Sequence, residues 1–309
     1  RRPSDGAPFA AQAVRAAMPD RAGAMRRWAG HPPPRRPWLP PLPTRLDAEA
    51  LAAVVAAADE EAFAADEGDI ARAAGAARAF SMALGLLDEP AAQRQRPWAL
   101  SPARDRSLLV VGGAGSGKTT ALRMVEHAAR GSAAVCVWIG ADREQAWDTI
   151  ERLANLPEDG GPATLVLIDD LDALIAGLPG EYAAVLLERV ERLLREGFRM
   201  GITVIAGAQR AQIAGTRVGE SFHTRLVLRV SNRAEHLAAG ADPRAFTPNR
   251  PAGRGTVDGL EVQLALPPAP VAGAPSAGAL ASRARAGAAA PPADARWEPP
   301  AGPLGIVSR

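Results

Sequence analysis

The chain has 309 residues, of which 47% are hydrophobic and only 4% aromatic, enough for one sizeable core and a small second one. No apolar run approaches the ~20 residues that cross a bilayer, and no basic start followed by an apolar stretch indicates a signal peptide. The single cysteine, Cys136, has no disulfide partner, and the four histidines lack metal-ligand spacing. We therefore expect a cytoplasmic location and no structural zinc.

The formal net charge of +2 is distributed unevenly along the chain. Residues 1–45 carry nine Arg against two Asp, and residues 268–309 carry four Arg against one Asp and one Glu, which leaves about −7 for the body between them. A positive field for nucleic acid is thus expected only at the N-terminal arm. A solvated arm beside a domain boundary is the simpler interpretation, because charge runs are usually solvated.

The first hundred residues alternate between extended and helical patterns. Proline-dense residues 31–43 are predicted to form an extended polyproline spacer. Helices are predicted over about 47–58, where Asp47 precedes an Ala-rich periodic stretch as an N-cap, and over about 69–84. Residues 84–100 are predicted to be an irregular or edge-strand lead-in.

From Ser107 to Leu266, apolar strand-like runs alternate with helical stretches. The predicted strands are Leu108–Val111, Ala134–Ile139, Leu165–Ile168, Ile202–Ala206 and Leu226–Val230, and the predicted helices are Thr119–Ala129, Arg143–Leu153 and Glu181–Arg195. This alternation predicts an α/β fold, a mostly parallel sheet flanked by helices. Two short strands, Gly255–Val257 and Glu261–Leu266, are predicted to close the domain as a hairpin, and the Pro- and Ala-rich tail after them is predicted to be disordered.

The helix at Glu181–Arg195 carries an apolar stripe that is predicted to face the core: Val185, Leu186, Val190, Leu193 and Leu194. Two i,i+4 ion pairs, Glu188 with Arg192 and Glu191 with Arg195, are expected on its solvent side.

A glycine-rich motif between the first strand and first helix of this region fits the phosphate-binding template G-x-x-x-x-G-K-[ST]. Its glycines allow positive φ and a close approach of backbone amides to phosphate, and the following helix presents its positive end. The only lysine of the chain, Lys118, provides the compact charge that contacts the β- and γ-phosphates. The residues expected to bind ATP are Gly112, Gly113, Ala114, Gly115, Ser116, Gly117, Lys118, Thr119 and Thr120.

A second motif, Thr164 to Asp170, is an apolar strand that ends in two carboxylates. Such a strand is predicted to lie beside the phosphate-binding strand, with Asp169 and the Thr119 hydroxyl in the shell of Mg²⁺ and Asp170 as the base that activates water. A third polar residue, Gln209, follows the strand-like run from Ile202 and is our candidate for contact with the γ-phosphate or the lytic water.

Together these motifs resemble the FtsK/SpoIIIE family of P-loop motor ATPases, and most closely its type VII secretion branch of EccC-like proteins. The matching segments span roughly residues 35–266. They are Trp38–Pro43, similar to an inter-module linker; Gly85–Gln95, similar to a module lead-in; the ordered set of P-loop, Asp169-Asp170 and Ala208-Gln209-Arg210; and the last strands at 222–230 and 251–255.

The resemblance implies a RecA-like module that works with other ATPase modules in a hexameric ring, with an arginine supplied in trans. Arg210, Arg225 and Arg254 are the candidates for that arginine. The cargo implied is a secreted protein, or double-stranded DNA in the DNA-pump branch. Asp170 departs from the DNA pumps, which usually have Glu there, and a shorter side chain places the base differently.

These observations divide the chain into a basic, Pro-rich arm (1–45), a helical lead-in (46–100), the ATPase domain (101–267) and a tail (268–309). The function expected is an ATP-hydrolysing motor for protein export, with a DNA translocase and a non-catalytic, nucleotide-bound interaction module as alternatives. Membrane attachment, if the protein has it, is expected through segments upstream of Arg1.

Overall fold

A computed structural model describes residues 21–30, 39–58, 80–156 and 162–269. The chain divides into two compact units, residues 1–38 and residues 39–309. In the first unit the described part is helix α1 (Arg21–Trp28). The second unit contains the other elements, which are numbered here in chain order over the described residues.

The second unit is built from nine strands and a set of helices that alternate with the central ones. The strands are β1 (Met82–Glu89), β2 (Arg94–Leu100), β3 (Ser107–Val111), β4 (Val135–Ile139), β5 (Thr164–Ile168), β6 (Ile202–Ala208), β7 (Thr224–Leu228), β8 (Arg254–Val257) and β9 (Leu260–Leu264). The helices are α2 (Ala48–Ala57), α3 (Pro102–Asp105), α4 (Lys118–Ala129), α5 (Arg143–Ala154), α6 (Leu171–Ala176), α7 (Gly180–Glu196), α8 (Arg217–Glu220) and α9 (Arg233–Ala238).

All nine strands form one sheet in the order β2-β1-β9-β8-β7-β3-β6-β5-β4. Strands β7, β3, β6, β5 and β4 are parallel, whereas β8, β9, β1 and β2 continue the sheet in antiparallel pairs. Alternate residues of β3 serve two separate cores, Leu109 and Val111 with α5 and α7, and Leu108 and Val110 with α4. The parallel strands are buried on both faces for this reason, as their continuous apolar sequences predict.

The predicted α/β class is confirmed, and so are the central strands and the closing hairpin β8–β9, with ends shifted by one or two residues. The description of residues 46–100 as a helical lead-in does not hold for residues 82–100, which form the hairpin β1–β2. The expectation of an edge strand within residues 84–100 agrees with β2, the outermost strand of the sheet, whereas β1 is interior. Residues 59–79, most of the second predicted helix, lie outside the described residues, but its end at 82–84 is strand. Pairing of β1 with β9 overrides the local helical preference, because β1 is an interior strand of the sheet.

The stripe of helix α7 is confirmed, with Leu186, Val190, Leu193 and Leu194 buried and Val185 half-buried. Its ion pairs differ from the prediction. Arg192 bonds to Glu196 at 2.9 Å rather than to Glu188. Glu191 does pair with Arg195 (3.3 Å), but its carboxylate is buried and also contacts Arg217 of α8 at 2.9 Å. Packing of α7 against α8 thus buries the Glu191 carboxylate, which helical spacing alone would place in solvent.

Residues 39–47, the linker segment, pack on the sheet instead of running free as a spacer. Leu42 and Leu46 are buried, and Leu266 donates its backbone N–H to the Leu46 carbonyl at 2.8 Å. Asp47 precedes α2 as predicted, but its side chain makes no cap hydrogen bond and instead accepts from Arg45. The part of the spacer from 31 to 38 lies outside the described residues.

Arg254 of β8 holds this linker segment in place. Its Nη2 donates to the carbonyls of Leu42 and Pro43, each at 2.9 Å, while Nε donates to Gln263 Oε1 at 2.9 Å. The guanidinium is buried and also lies 3.5 Å from a Glu261 carboxylate oxygen. Because this guanidinium is buried and its donors are used within the fold, Arg254 is removed from the candidates for an arginine supplied to a neighbour.

Cys136 lies on β4 as a free, buried thiol. Burial, with a smaller contribution from the nearby Glu126 carboxylate, raises the pKa of this thiol to about 11. The thiol is therefore protonated at neutral pH and acts as an apolar core residue.

Replacement of Arg254 is expected to release the linker segment. Arg254→Ala leaves two backbone carbonyls and the Gln263 amide oxygen without their buried donor, and we expect a loss of about 3–5 kcal/mol in the free energy of unfolding. Chemical denaturation followed by circular dichroism measures this loss. Arg45→Ala, which removes an exposed pair with Asp47 in the same segment, is the control and should cost less than ~1 kcal/mol. Equal losses in the two variants would contradict an anchoring role for Arg254.

Candidate nucleotide-binding site

The motif residues meet at the carboxyl edge of the parallel strands. The loop Gly112–Gly117 follows β3 and opens helix α4, Asp169 and Asp170 follow β5, and Gln209 follows β6. Strand β6 lies between β3 and β5, so the prediction that β5 is the direct neighbour of β3 is wrong. The two motifs nevertheless face each other, because parallel strands of one sheet end at the same edge.

The loop is held tightly at its start. Gly112 donates its N–H to the Ala208 carbonyl at 3.1 Å, and Gly113 donates to the Arg229 carbonyl at 2.9 Å, which fixes the loop to the ends of β6 and β7. A Cβ at Gly112 would lie 2.5 Å from Ser116 Oγ and 2.9 Å from Leu228 Cβ. Gly117 turns into the helix with φ of 108°, a conformation that L side chains disfavour.

Lys118 opens α4 with its ammonium folded back over the loop. Its Nζ donates to the carbonyls of Gly112 at 3.0 Å and Gly113 at 3.2 Å and lies 3.9 Å from Asp170 Oδ1. The side chain is buried, which places a positive charge where the first amides of α4 also point. Backbone amides and a buried ammonium at one helix start form a site for phosphate.

Ser116 Oγ is fully buried and finds no hydrogen-bond partner among the described residues. An unpaired buried hydroxyl inside the loop is costly unless a ligand satisfies it. This observation therefore fits a loop that is completed by a bound polar group.

Thr119 and Asp169 join the two motifs. The Thr119 hydroxyl lies 2.9 Å from Oδ2 and 3.2 Å from Oδ1 of Asp169. A hydroxyl and a carboxylate at this spacing are the oxygen ligands that Mg²⁺ prefers, and Thr119 is exposed while Asp169 is half-buried. The residues present thus fit the metal that the sequence predicts here.

Asp170 occupies a strained position at the start of α6, with φ of 53° in the left-handed region. Its Oδ1 is buried without a hydrogen-bond partner in the described part of the chain, although the side chain as a whole is 46% exposed. Desolvation raises the pKa of this carboxyl; Lys118 opposes the rise, and Asp169 and Asp172 add to it. A partly desolvated carboxylate with one unsatisfied oxygen is suited to accept a proton.

Gln209 and Arg210 are exposed at the end of β6, and their backbone is held by a residue that the sequence analysis overlooked. Asp172 accepts the Gln209 N–H at 2.9 Å through Oδ1 and the Arg210 N–H at 3.1 Å through Oδ2. The signal available in the sequence was a third carboxylate two positions after the Asp169-Asp170 pair.

The far side of the loop rests on residues that follow β7 and precede β8. Arg229 donates from Nη2 to the Gly115 carbonyl at 3.1 Å and from Nη1 to the Arg250 carbonyl at 3.2 Å. Gly253 donates its N–H to the Ser116 carbonyl at 2.9 Å. Arg229 stands in a segment that the sequence analysis singled out only for its strand, so its contact with the loop is a finding of the structure. Arg225, a candidate for the trans arginine, is half-buried and donates to the Gly219 carbonyl at 3.2 Å.

No protein-family model matches the chain, and no curated protein matches its sequence. Solved structures do match its fold. EssC (ATPases 2 and 3) from Geobacillus thermodenitrificans is 20% identical with a TM-score of 0.51, over 80% of this chain and 51% of that one. The cytoplasmic domain of the Thermomonospora curvata type VII secretion ATPase EccC is 18% identical with a TM-score of 0.52, over 62% of this chain and 28% of that one.

A third match is the pCW3 conjugation coupling protein TcpA in its monomer form with ATPgS, 15% identical with a TM-score of 0.50, over 60% of this chain and 66% of that one. The chain thus spans 51% and 28% of the two secretion ATPases. At sequence identities this low, the likeness to these structures concerns the fold alone.

The sheet order, the loop after β3 and the carboxylates after β5 define a P-loop NTPase fold with the residues of a nucleotide-binding site. This fold is shared with ATPase domains of EccC and EssC and with a conjugation coupling protein, which agrees with the fold that the FtsK/SpoIIIE resemblance of the sequence implies. Among the described residues no helix is long and apolar enough to span a membrane.

The two leading glycines of the loop offer a matched pair of substitutions. Gly112→Ala should destabilise the protein without nucleotide by about 1–3 kcal/mol, because the new Cβ overlaps Ser116 and Leu228. Gly113→Ala is the control, since the nearest atom to its Cβ would be the Arg229 carbonyl oxygen at an ordinary 3.5 Å. Thermal unfolding of both variants measures the difference. If the two variants unfold at the same temperature, the loop is not packed as described.

Proposed function

We propose that this chain is a P-loop motor module that binds Mg·ATP and hydrolyses it to drive translocation of a polymer. The observation that carries the proposal is the contact of the Thr119 hydroxyl with the Asp169 carboxylate, beside a buried Lys118 ammonium. The ammonium that would bind phosphate and the hydroxyl that would bind the metal thus belong to consecutive residues, Lys118 and Thr119.

Each residue has a role that its position supports. The loop from Gly112 to Thr120 binds the phosphates through the Lys118 ammonium and through those amides that, unlike the Gly112 and Gly113 N–H groups, are not bonded to the ends of β6 and β7. Thr119 with Asp169 would hold Mg²⁺. When bound, Mg²⁺ neutralises phosphate charge and polarises the phosphoryl oxygens. Asp170 accepts the proton of the attacking water, for which its half-exposed carboxylate is open on the solvent side. Gln209 orients that water from the end of β6.

The site is open on the side of Gln209 and Arg210, both of which are exposed. We propose that a neighbouring module covers this side in a ring, as the hexameric family resemblance implies, and supplies an arginine in trans. With Arg254 committed to the linker segment, Arg210 and Arg225 remain the candidates for the arginine that this chain offers to its neighbour.

Secreted protein is the cargo we propose, with the module acting in a type VII-like secretion system on the cytoplasmic face of a membrane. The ordered motifs of the EccC-like branch and the fold shared with EssC and EccC support it. Double-stranded DNA is the second candidate, favoured by the basic arm at residues 1–45 and by the fold shared with a conjugation coupling protein.

Lys118→Ala tests nucleotide binding. Loss of the ammonium should weaken ATP binding by about 10- to 100-fold, because charge-assisted bonds to phosphate are lost. Isothermal titration with ATPγS and Mg²⁺ measures the affinity, and Arg45→Ala is the control with an unchanged site. Unaltered affinity in Lys118→Ala would show that the loop is not the phosphate site.

Asp170→Asn tests turnover separately from binding. We expect phosphate release to fall by roughly 100-fold or more while ATP affinity changes little, because the amide cannot accept the proton. Steady-state phosphate release with Mg·ATP measures this, with Asp148→Asn on the exposed face of α5 as the isosteric control.

Three further outcomes of the same assay discriminate the functions. Stimulation of the wild-type chain by double-stranded DNA would favour DNA as the cargo. Equal turnover in wild type and Asp170→Asn would remove Asp170 as the base. Tight binding of ATP without phosphate release, even at protein concentrations that favour assembly, would favour the non-catalytic interaction module over the motor.

A further inference from the structure

Three carboxylates lie within four residues after β5, and the proposed reaction uses only the first two of them. The third, Asp172, is half-buried in the first turn of α6. Its two oxygens accept the backbone N–H groups of Gln209 at 2.9 Å and Arg210 at 3.1 Å. One carboxylate thus binds two consecutive amides in a fork, the geometry in which such bonds are strongest.

We propose that Asp172 is a positioning residue that holds the end of β6 in register with the Asp169-Asp170 pair and so controls the turnover of ATP. This inference rests on the proposed function, because Gln209 matters only if ATP is hydrolysed at this site. The hydrogen bonds of the Asp172 side chain go to these two amides, and its charge also adds to the raised pKa of the neighbouring Asp170.

The segment after β6 is held from two sides. On one side the Ala208 carbonyl accepts the Gly112 N–H of the phosphate-binding loop at 3.1 Å. On the other side Asp172 binds the next two amides from the element that begins at Asp170. Residues 208–210 therefore bridge the loop after β3 and the carboxylate motif after β5, two strands that are separated in the sheet by β6.

This bridge connects the phosphate-binding loop to the Asp169-Asp170 pair, whose relative position sets the rate of the proposed ATP hydrolysis. Gln209 and Arg210 have exposed side chains on a segment that leaves the sheet, and a chain end of this kind moves unless its backbone is bound. Small displacements of a positioning group reduce catalysis far more than they reduce binding. The backbone bonds from Asp172 thus affect the position of the Gln209 side chain without a direct contact with it.

Substitutions at Asp172 distinguish the effect of the two hydrogen bonds on turnover from an effect on folding. Asp172→Ala removes both acceptors, and Asp172→Asn keeps one, because an amide group has a single acceptor oxygen. Asp148→Ala on α5 is the matched control, an exposed carboxylate away from the site. All variants are made in the full chain, and their thermal unfolding is recorded beside their kinetics.

We expect Asp172→Ala to lower kcat by roughly 10-fold or more with KM for ATP within about threefold of wild type, and Asp172→Asn to be intermediate. The control should keep wild-type kcat. An unchanged kcat in Asp172→Ala overturns the inference. A parallel change in KM, kcat and unfolding temperature also overturns it, because that pattern belongs to a structural role.

Hydrogen exchange separates a failure of this inference from a failure of the proposed function. If the wild-type chain releases no phosphate even at concentrations that favour assembly, the proposed function fails and control of turnover fails with it, whereas the positioning of residues 209 and 210 is still decided by exchange at the Gln209 and Arg210 amides with bound ATPγS. Faster exchange at these amides in Asp172→Ala, with wild-type exchange elsewhere in β6, supports the positioning role. Equal exchange in the two proteins overturns it.

Discussion

The hydrogen bonds from the Thr119 hydroxyl to the Asp169 carboxylate exist only because β3 and β5 end at the same edge of one parallel sheet. Fifty positions separate the two residues in the chain. Burial of both faces of the sheet fixes strand direction and register, and these in turn bring the metal-binding oxygens together. The buried Lys118 ammonium and the strained Asp170 backbone are tolerated because this frame is rigid.

The antiparallel extension of the sheet connects the linker segment to the same frame. Arg254 binds the carbonyls of Leu42 and Pro43 from β8, and the adjoining Gly253 donates its N–H to Ser116 in the phosphate-binding loop. Two consecutive residues thus contact the linker segment on one side and the loop on the other. A segment that resembles an inter-module linker is therefore connected to the phosphate-binding loop through Arg254 and Gly253.

The residues of a nucleotide-binding site are present although the chain has low sequence identity to proteins of the same fold. Identities of 15–20% leave few side chains in common with EssC, EccC and TcpA, yet the fold is shared. Phosphate binding depends on backbone amides, a helix start and one lysine, so it persists while most of the sequence changes. Turnover requires more, since a base and an oriented water must meet at the open side of the site.

The sequence alone determined the local chemistry: a loop that only glycines can form, the single lysine of the chain at its end, and apolar strands that must be buried. It also determined the α/β class, because strand and helix periods differ. It did not determine that β6 separates the two motif strands, that β1 is an interior strand of the sheet, that Glu191 is buried or that Arg254 holds the linker segment. These features depend on pairing between distant residues, for which local propensity and spacing carry no signal. Asp172 belongs with them, because only the folded sheet brings the end of β6 within hydrogen-bonding distance of α6.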